Sequence, residues 1–114
     1  MNLRSVKIDS VLVVEVGCKH IDANNSDDFK KETLSLLSPV RDTLLDLAEL
    51  NFIDSSGLGA LLACMRRVRA GGGRLMLCNL RPTVQSIAEM VHLKRVIEIE
   101  RTRELALEAL RHTA

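Results

Sequence analysis

Two adjacent serines beside a carboxylate, in the run Asp54-Ser55-Ser56-Gly57, are the side chains of this sequence best placed for covalent modification. The apolar residues after Gly57 recur every three or four positions, which predicts a helix that begins at Ser55 or Ser56. The first N–H groups of a helix have no partners inside it, and the helix dipole leaves partial positive charge there. An added anion is favoured at such a position, so a serine there is a candidate phosphate acceptor.

The same run also has a purely structural interpretation. Asp and Ser are preferred N-cap residues, so the run could be a capping cluster with no chemistry. On this interpretation Ser56 is a second cap or a packing hydroxyl. Gly57 and Gly59 are expected to allow close packing of the helix start.

The sequence does not complete any of the catalytic motifs that its glycines, serines and histidines could suggest. The glycines at 71–73 follow a helical pattern and lack the Gly-Lys-Ser/Thr ending of a P-loop, so we interpret them as a helix stop. Neither serine of the run lies in a Gly-x-Ser-x-Gly nucleophile elbow, and no obvious base stands beside them. The histidines are scattered, at positions 20, 92 and 112. We therefore expect no enzymatic activity, no metal and no cofactor.

Length and composition indicate one soluble domain over residues 1–114. Hydrophobic residues make up 46% and charged residues 27% of the chain, as in ordinary globular proteins. The net charge is +1, with two Phe and no Trp or Tyr. A single-strand nucleic-acid binder needs a basic surface and stacking aromatics, so nucleic acid is not an expected partner.

The cysteines and the N-terminus indicate a cytoplasmic protein. Cys18, Cys64 and Cys78 form no CxxC pair and have no metal-ligand spacing, so we expect reduced, mostly buried thiols. The first ten residues lack the apolar stretch of a signal peptide. No apolar run approaches the ~20 residues that span a bilayer, so no membrane insertion is expected.

Hydrophobic periodicity predicts the elements that must position the serines. Predicted strands cover residues 6–8, 11–16, 43–47, 74–78 and 96–99, the first two forming a hairpin around 9–10. Predicted helices cover the stretch from the caps at 24–26 to Pro39, then 55–69, 82–91 and 103–112. The expected buried faces of the first and third helices are Phe29, Thr33, Leu36 and Leu37, and Val84, Ile87, Ala88 and Val91.

This order, β-β-α-β-α-β-α-β-α, predicts an α/β fold. Short alternating connections imply βαβ crossovers and a mostly parallel sheet of about five strands, with about four helices. The hairpin makes the N-terminal edge of the sheet antiparallel.

In this setting the run Asp54-Ser55-Ser56-Gly57-Leu58-Gly59 resembles the signature of the STAS family, the sulfate-transporter and anti-sigma-factor-antagonist domain. The resemblance covers nearly the whole chain. Gly17 followed by residues 20–23 is similar to the exit of the family's second strand, and residues 90–93, 96–99 and 104–110 are similar to its ending. Lys19-His20 stands where a small or acidic residue is commoner, and residues 24–26 replace the usual Thr-Ala start of the first helix.

The resemblance implies an anti-sigma factor antagonist that works by partner switching. By that likeness Ser55 is the phosphorylated residue, and the partner-binding surface comprises Asp22, Asn51, Asp54, Ser55, Ser56, Gly57 and Leu58. The implied partners are an anti-sigma factor that is also a serine kinase of the histidine-kinase-like ATPase type, and a serine phosphatase of the PP2C type.

A different class of function remains open at this point. Some STAS proteins are structural subunits of lipid-transport ATPases or other multiprotein complexes. In such a protein the helix would dock permanently on a partner, and the serines would serve only as caps.

Overall fold

The valine-rich run at residues 11–16 forms an interior strand of the sheet. In the computed structural model, which describes residues 2–37 and 42–111, strand β2 (Val11–Val16) follows β1 (Leu3–Ile8) in an antiparallel hairpin. Asp9 takes the left-handed conformation, φ 56°, in the turn between them. β2 is almost completely buried, whereas β1 is exposed along most of its length, as expected of an edge strand.

Alternating strands and helices complete the chain and confirm the predicted fold class. The remaining strands are β3 (His20–Ile21), β4 (Asp42–Asp46), β5 (Phe52–Ile53), β6 (Leu75–Cys78) and β7 (Glu98–Glu100). The helices are α1 (Ser26–Leu36), α2 (Ser55–Ala70), α3 (Pro82–Met90) and α4 (Arg103–Arg111), with a 3-10 turn at Leu93–Arg95.

Five strands form one mixed sheet in the order β1-β2-β4-β6-β7. Only the β1–β2 pair is antiparallel, and β2–β4, β4–β6 and β6–β7 are all parallel. Successive crossovers move in one direction across this sheet. Because β2, β4, β6 and β7 are parallel, they all end at the same edge of the sheet, and the chain continues from the end of β4 through β5 into α2.

Two apolar cores lie on the two faces of the sheet. The larger contains side chains of α1, α2 and α3, with Phe29, Leu61 and Cys64 almost completely buried. The smaller lies under α4, where Ala106 and Leu110 pack against Val11, Val13, Leu44, Met76 and Cys78. Burial on both faces explains why the central strands have continuous apolar sequences.

The cysteine interpretation is confirmed. All three thiols are free, with Cys64 and Cys78 buried and Cys18 half-buried. Burial raises the pKa of Cys64 to about 11 and that of Cys78 to about 12, so both are protonated, unreactive thiols at neutral pH. Of the helices in the described ranges, none combines the length and apolar character required to cross a bilayer.

Most helix ends agree with their sequence signals. Pro82 is the first residue of α3, and the hydroxyl of Thr102 accepts a hydrogen bond from the N–H of Leu105 at the start of α4. At the end of α2, Gly72 has a φ of 90°. Pro39 and His112, the predicted ends of the first and last helices, lie outside the described residues.

The predictions around the end of α3 were wrong in two respects. Val91 is 48% exposed and lies beyond the helix, so it is not part of the buried face. His92 takes a left-handed conformation and residues 93–95 form a 3-10 turn, which delays the last strand to Glu98–Glu100. The predicted strand at 96–99 therefore begins two residues too early, and Val96 is 42% exposed.

The sequence prediction also missed a second, two-stranded sheet. β3 and β5 pair in parallel, with His20 opposite Phe52 and Ile21 opposite Ile53. We call this pair the β3–β5 ribbon. It lies directly before α2, so it is the part of the fold that positions the candidate site.

Candidate functional site

Asp54 defines the start of α2. Its backbone is extended, and its Oδ1 accepts a hydrogen bond from the N–H of Gly57 at 3.0 Å. Its carbonyl oxygen accepts from the N–H of Leu58 at 2.9 Å. The helix begins at Ser55, within the range predicted from the sequence. The cap is thus supplied by the aspartate rather than by either serine.

Both serines of the run lie in the first turn with exposed side chains. Ser55 and Ser56 are the first two residues of α2, where backbone N–H groups lack intrahelical acceptors. Ser56 also lines a shallow groove between α1 and α2, together with Lys30 and Gly59. The interpretation of Ser56 as a packing hydroxyl is therefore wrong.

The second oxygen of Asp54 joins the helix to another part of the chain. Oδ2 accepts a hydrogen bond from the N–H of Ala23 at 3.1 Å, across 31 positions of sequence. The N–H of Asp54 donates to the carbonyl of Ile21 at 3.2 Å. One residue therefore fixes both the start of α2 and the loop between β3 and α1.

Asp22 organises that loop. Its Oδ1 accepts from the N–H of Asn24 at 2.9 Å, which is an Asx turn, and its N–H donates to Oδ1 of Asn25 at 2.8 Å. The Asn25 amide donates to the carbonyl of His20 at 2.8 Å. Asn25 occupies the N-cap position of α1, as its residue type predicts, but its side chain bonds to the loop and not to the helix N–H groups.

Gly57 is the point of closest approach between α2 and the ribbon. A Cβ atom added there would lie 2.5 Å from the carbonyl oxygen of Ile21 and 2.5 Å from Cγ1 of Ile53. The expectation of close packing is therefore confirmed for Gly57. It is wrong for Gly59, where an added Cβ would meet nothing within 4 Å.

The seven residues predicted to contact a partner all lie at this end of the molecule. Asn51, Ser55 and Ser56 are exposed, Asp22 and Asp54 are half-buried, Leu58 packs partly against the larger core, and Gly57 is buried. Six of the seven have side chains that are at least partly accessible, and the seventh, Gly57, is buried and positions them. Their contact with a partner stays a prediction. The N–H of Ala23 is the structural contact that the sequence did not indicate, because a backbone group carries no residue-type signal.

The chemistry of the site is that of a surface rather than of a pocket. The hydrogen bonds to the Asp54 carboxylate come from backbone N–H groups. Within residues 2–37 and 42–111, no group of three or more His, Cys, Asp and Glu side chains is arranged to hold a metal ion. What the site offers is an exposed serine at a helix N-terminus.

Comparison with known proteins agrees with this picture. The sequence profile of the STAS domain matches residues 2–106. A candidate anti-sigma factor antagonist of Bordetella bronchiseptica, BtrV, is 28% identical over 114 residues, covering 97% of this chain and 96% of BtrV.

Solved structures share the fold over the whole chain. An anti-sigma-factor antagonist (STAS) domain protein from Planctomyces limnophilus superposes with a TM-score of 0.85 at 20% identity, covering 96% of this chain and 97% of that one. The Bacillus anti-sigma factor antagonist SpoIIAA, at 21% identity, gives 0.73 in its unphosphorylated form, with 99% of each chain covered. Its phosphorylated form gives 0.67, covering 96% of this chain and 100% of that one.

Proposed function

The chain belongs to the STAS domain family, and we propose that it is an anti-sigma factor antagonist that acts by partner switching. Unmodified, it binds an anti-sigma factor that is also a serine kinase of the histidine-kinase-like ATPase type, so that the target of that factor is released. The kinase phosphorylates Ser55, which separates the pair, and a PP2C-type phosphatase restores the unmodified form.

The exposure of Ser55 at the first position of α2 is the observation that carries this proposal. Because Asp54 already caps the helix through the N–H of Gly57, the fold does not need the Ser55 hydroxyl. A kinase can therefore reach and modify this oxygen without breaking a contact that holds the domain together.

The relatives support the same assignment. BtrV and SpoIIAA carry the name anti-sigma factor antagonist, in the case of BtrV as a candidate, and SpoIIAA is known in both unphosphorylated and phosphorylated forms. Both forms of SpoIIAA share the fold of this chain. Phosphorylation is thus compatible with this fold in a protein of similar architecture.

The energies favour a switch that acts at the interface. A phosphate adds about 1.5 to 2 negative charges. The helix dipole stabilises it by about 0.3 to 1 kcal/mol, and Asp54 at roughly 5 Å opposes it by about 0.8 kcal/mol per unit charge in water. For 1.5 to 2 charges the repulsion is about 1.2 to 1.6 kcal/mol, so the net cost is roughly 1 kcal/mol or less. This is small beside the roughly 5 to 15 kcal/mol that stabilises a typical domain, so the domain should stay folded.

A partner surface shaped for a neutral hydroxyl responds differently. Burying the phosphate there without a cation costs several kcal/mol. A loss of about 3 kcal/mol already weakens binding more than a hundredfold.

The test uses the intact protein with each histidine-kinase-like serine kinase of its source organism and Mg-ATP. Intact mass should show one added phosphoryl group, and peptide mapping should place it on Ser55. Ser55→Ala should abolish the modification and still bind the kinase, whereas the adjacent control Ser56→Ala should be modified normally. Ser55→Asp should bind weakly and melt near the wild-type temperature.

Two outcomes would change the proposal. Phosphate on Ser56 would move the acceptor by one residue. Undiminished binding of fully phosphorylated protein would exclude partner switching and leave a structural subunit of a multiprotein complex as the better description.

A further inference from the structure

The outer face of the β3–β5 ribbon carries an aromatic side chain that the protein itself does not bury. His20 and Phe52 are register partners in this parallel pair, as are Ile21 and Ile53. Because side chains alternate along a strand, each pair shares one face. Ile21 and Ile53 are buried, at 0% and 1% exposure, so the other face presents Phe52, which is 46% exposed, beside the exposed His20.

Phe52 is unusual for this chain. The sequence contains two Phe and no Trp or Tyr. The other phenylalanine, Phe29, is completely buried in the larger core. Aromatic side chains are enriched among the residues that contribute most to protein–protein binding, where a half-exposed ring gains a large contact area.

The ribbon and the Ser55 surface form one rigid unit. Gly57 lies against Ile21 and Ile53, and the N–H of Asp54 bonds to Ile21. The carbonyl of Lys19 accepts hydrogen bonds from the N–H groups of Asn51 and Phe52, at 2.7 and 3.3 Å, which anchors the other end of the ribbon. Phe52 therefore has a fixed position relative to Ser55, which follows it by three residues in the chain.

We infer that Phe52 is the apolar anchor of partner recognition, seated in an apolar pocket of the anti-sigma factor kinase whose rim places a carboxylate opposite Lys19. This rests on the proposed function, because it names a second contact made by the same partner. Charge complementarity with the exposed Lys19, which directly precedes the ribbon, is the reason for placing a carboxylate on that rim. Phe52 contributes affinity, and the Lys19 cation contributes selectivity among related kinases.

Binding and phosphorylation by each purified histidine-kinase-like serine kinase test this inference. For the kinase that binds the wild type, Phe52→Ala should weaken affinity by roughly tenfold or more, as expected of an interface anchor. The KM for phosphorylation of Ser55 should rise by a similar factor while kcat changes less than about twofold, since Phe52 does not touch the reacting atoms. Lys19→Glu should weaken binding by roughly three- to tenfold, and this loss should shrink at high salt.

Two controls separate recognition from folding. Leu105→Ala removes a side chain of similar exposure, 40%, from α4 on the other face of the sheet, and should leave affinity unchanged. Phe52→Leu keeps an apolar side chain and should bind within roughly threefold of the wild type. If Phe52→Ala lowers the melting temperature of the protein by more than a few degrees, the binding and phosphorylation measurements are made with Phe52→Gln instead.

The failures can be told apart. Wild-type binding with equal affinities for Phe52→Ala and Leu105→Ala would overturn the anchor and leave the partner switch in place. Absence of wild-type binding to every kinase tested would overturn both.

Discussion

Two aspartates that follow one another along the chain, Asp46 and Asp54, differ in whether a cation holds them. Asp46, the last residue of β4, is 7% exposed, and its Oδ2 accepts from Nη2 of Arg103 at 2.8 Å. The same guanidinium bonds to Glu15 at 2.7 Å, and Asn79 donates to the other oxygen of Asp46 at 3.1 Å. The hydrogen bonds to Asp54, which follows β5, come from backbone N–H groups.

Asp46 thus belongs to a structural ion pair, whereas Asp54 belongs to a surface that we propose contacts a partner. Arg103 is the first residue of α4, so its bonds to Asp46 and Glu15 fix that helix over the smaller core. Those hydrogen bonds also raise the pKa of Arg103 and keep it charged. The carboxylate of Asp54 instead positions a loop and a helix start through dipoles and keeps its charge at the surface. A phosphate on the neighbouring Ser55 would add to that charge, which suits a signal directed at a partner.

The largest effect on stability should come from a substitution that forces α2 away from the β3–β5 ribbon. Gly57→Val places a β-branched side chain where even a Cβ would lie 2.5 Å from a backbone oxygen that cannot rotate away. We expect a loss of about 3 kcal/mol in the free energy of unfolding. For a domain of this size the melting temperature should fall by roughly 10 °C or more.

Ser56→Ala is the control for that substitution, because it changes an exposed neighbour in the same turn. It should cost well under 1 kcal/mol in thermal melts, as is usual for surface sites. If both substitutions lower the free energy of unfolding by the same small amount, the ribbon must shift to make room for the valine side chain.

Breaking the structural ion pair should cost less, and it should leave recognition intact. Arg103→Met retains much of the side-chain bulk but leaves Asp46 nearly buried without its cation. Breaking a fully buried pair costs about 3 to 5 kcal/mol, and because the Arg103 side chain is 26% exposed we expect about 2 kcal/mol. Urea unfolding should report this loss, while kinase affinity stays within twofold of the wild type. A large loss of affinity in the folded variant would contradict the division between the two regions.

The sequence predicts the interior strands of the main sheet and α2 well because their signals are long and local, whereas the short last strand is predicted two residues too early. Four valines among six residues define β2, and a helical repeat over 16 residues defines α2. The β3–β5 ribbon has two residues per strand, too few for any periodicity, and its existence depends on pairing across more than 30 positions. The same limit applies to the hydrogen bond from Ala23 to Asp54.

At the candidate site, residue types identified the position but not the contacts. Asp-Ser-Ser-Gly predicts a helix start, and the structure assigns the cap to Asp54 and frees Ser55. Gly57 and Gly59 are equivalent in the sequence, yet only the first lies against another element. Which glycine is required depends on where the ribbon lies.

Removing the Asp54 carboxylate should have a moderate effect on stability and should distinguish its two roles. Asp54→Ala removes both the helix cap and the bond from Ala23, with an expected cost of about 1 kcal/mol. Asp54→Asn keeps an oxygen that can cap the helix, but its amide nitrogen cannot accept from Ala23. Asn should therefore recover most of the stability in thermal melts, while faster hydrogen exchange at the loop N–H groups reports the lost bond. Equal losses for Ala and Asn would show that the loop contact, not the cap, carries the energy.

The smallest effect should be a stabilisation, produced by Gly59→Ala. The same substitution at Gly57, two residues earlier, provides the comparison. Gly59 lies inside α2 with an exposed position and open space around its missing Cβ, so Gly59→Ala adds no clash. Alanine is favoured over glycine in a helix by about 0.8 to 1 kcal/mol, partly because it restricts the unfolded chain. We expect Gly59→Ala to raise the free energy of unfolding by about 0.5 to 1 kcal/mol, measured by urea titration, whereas Gly57→Ala should lower it. If both substitutions stabilise, α2 is not seated on the ribbon as closely as the structure indicates. If both destabilise, the first two turns of α2 share a constraint beyond the contact at Gly57.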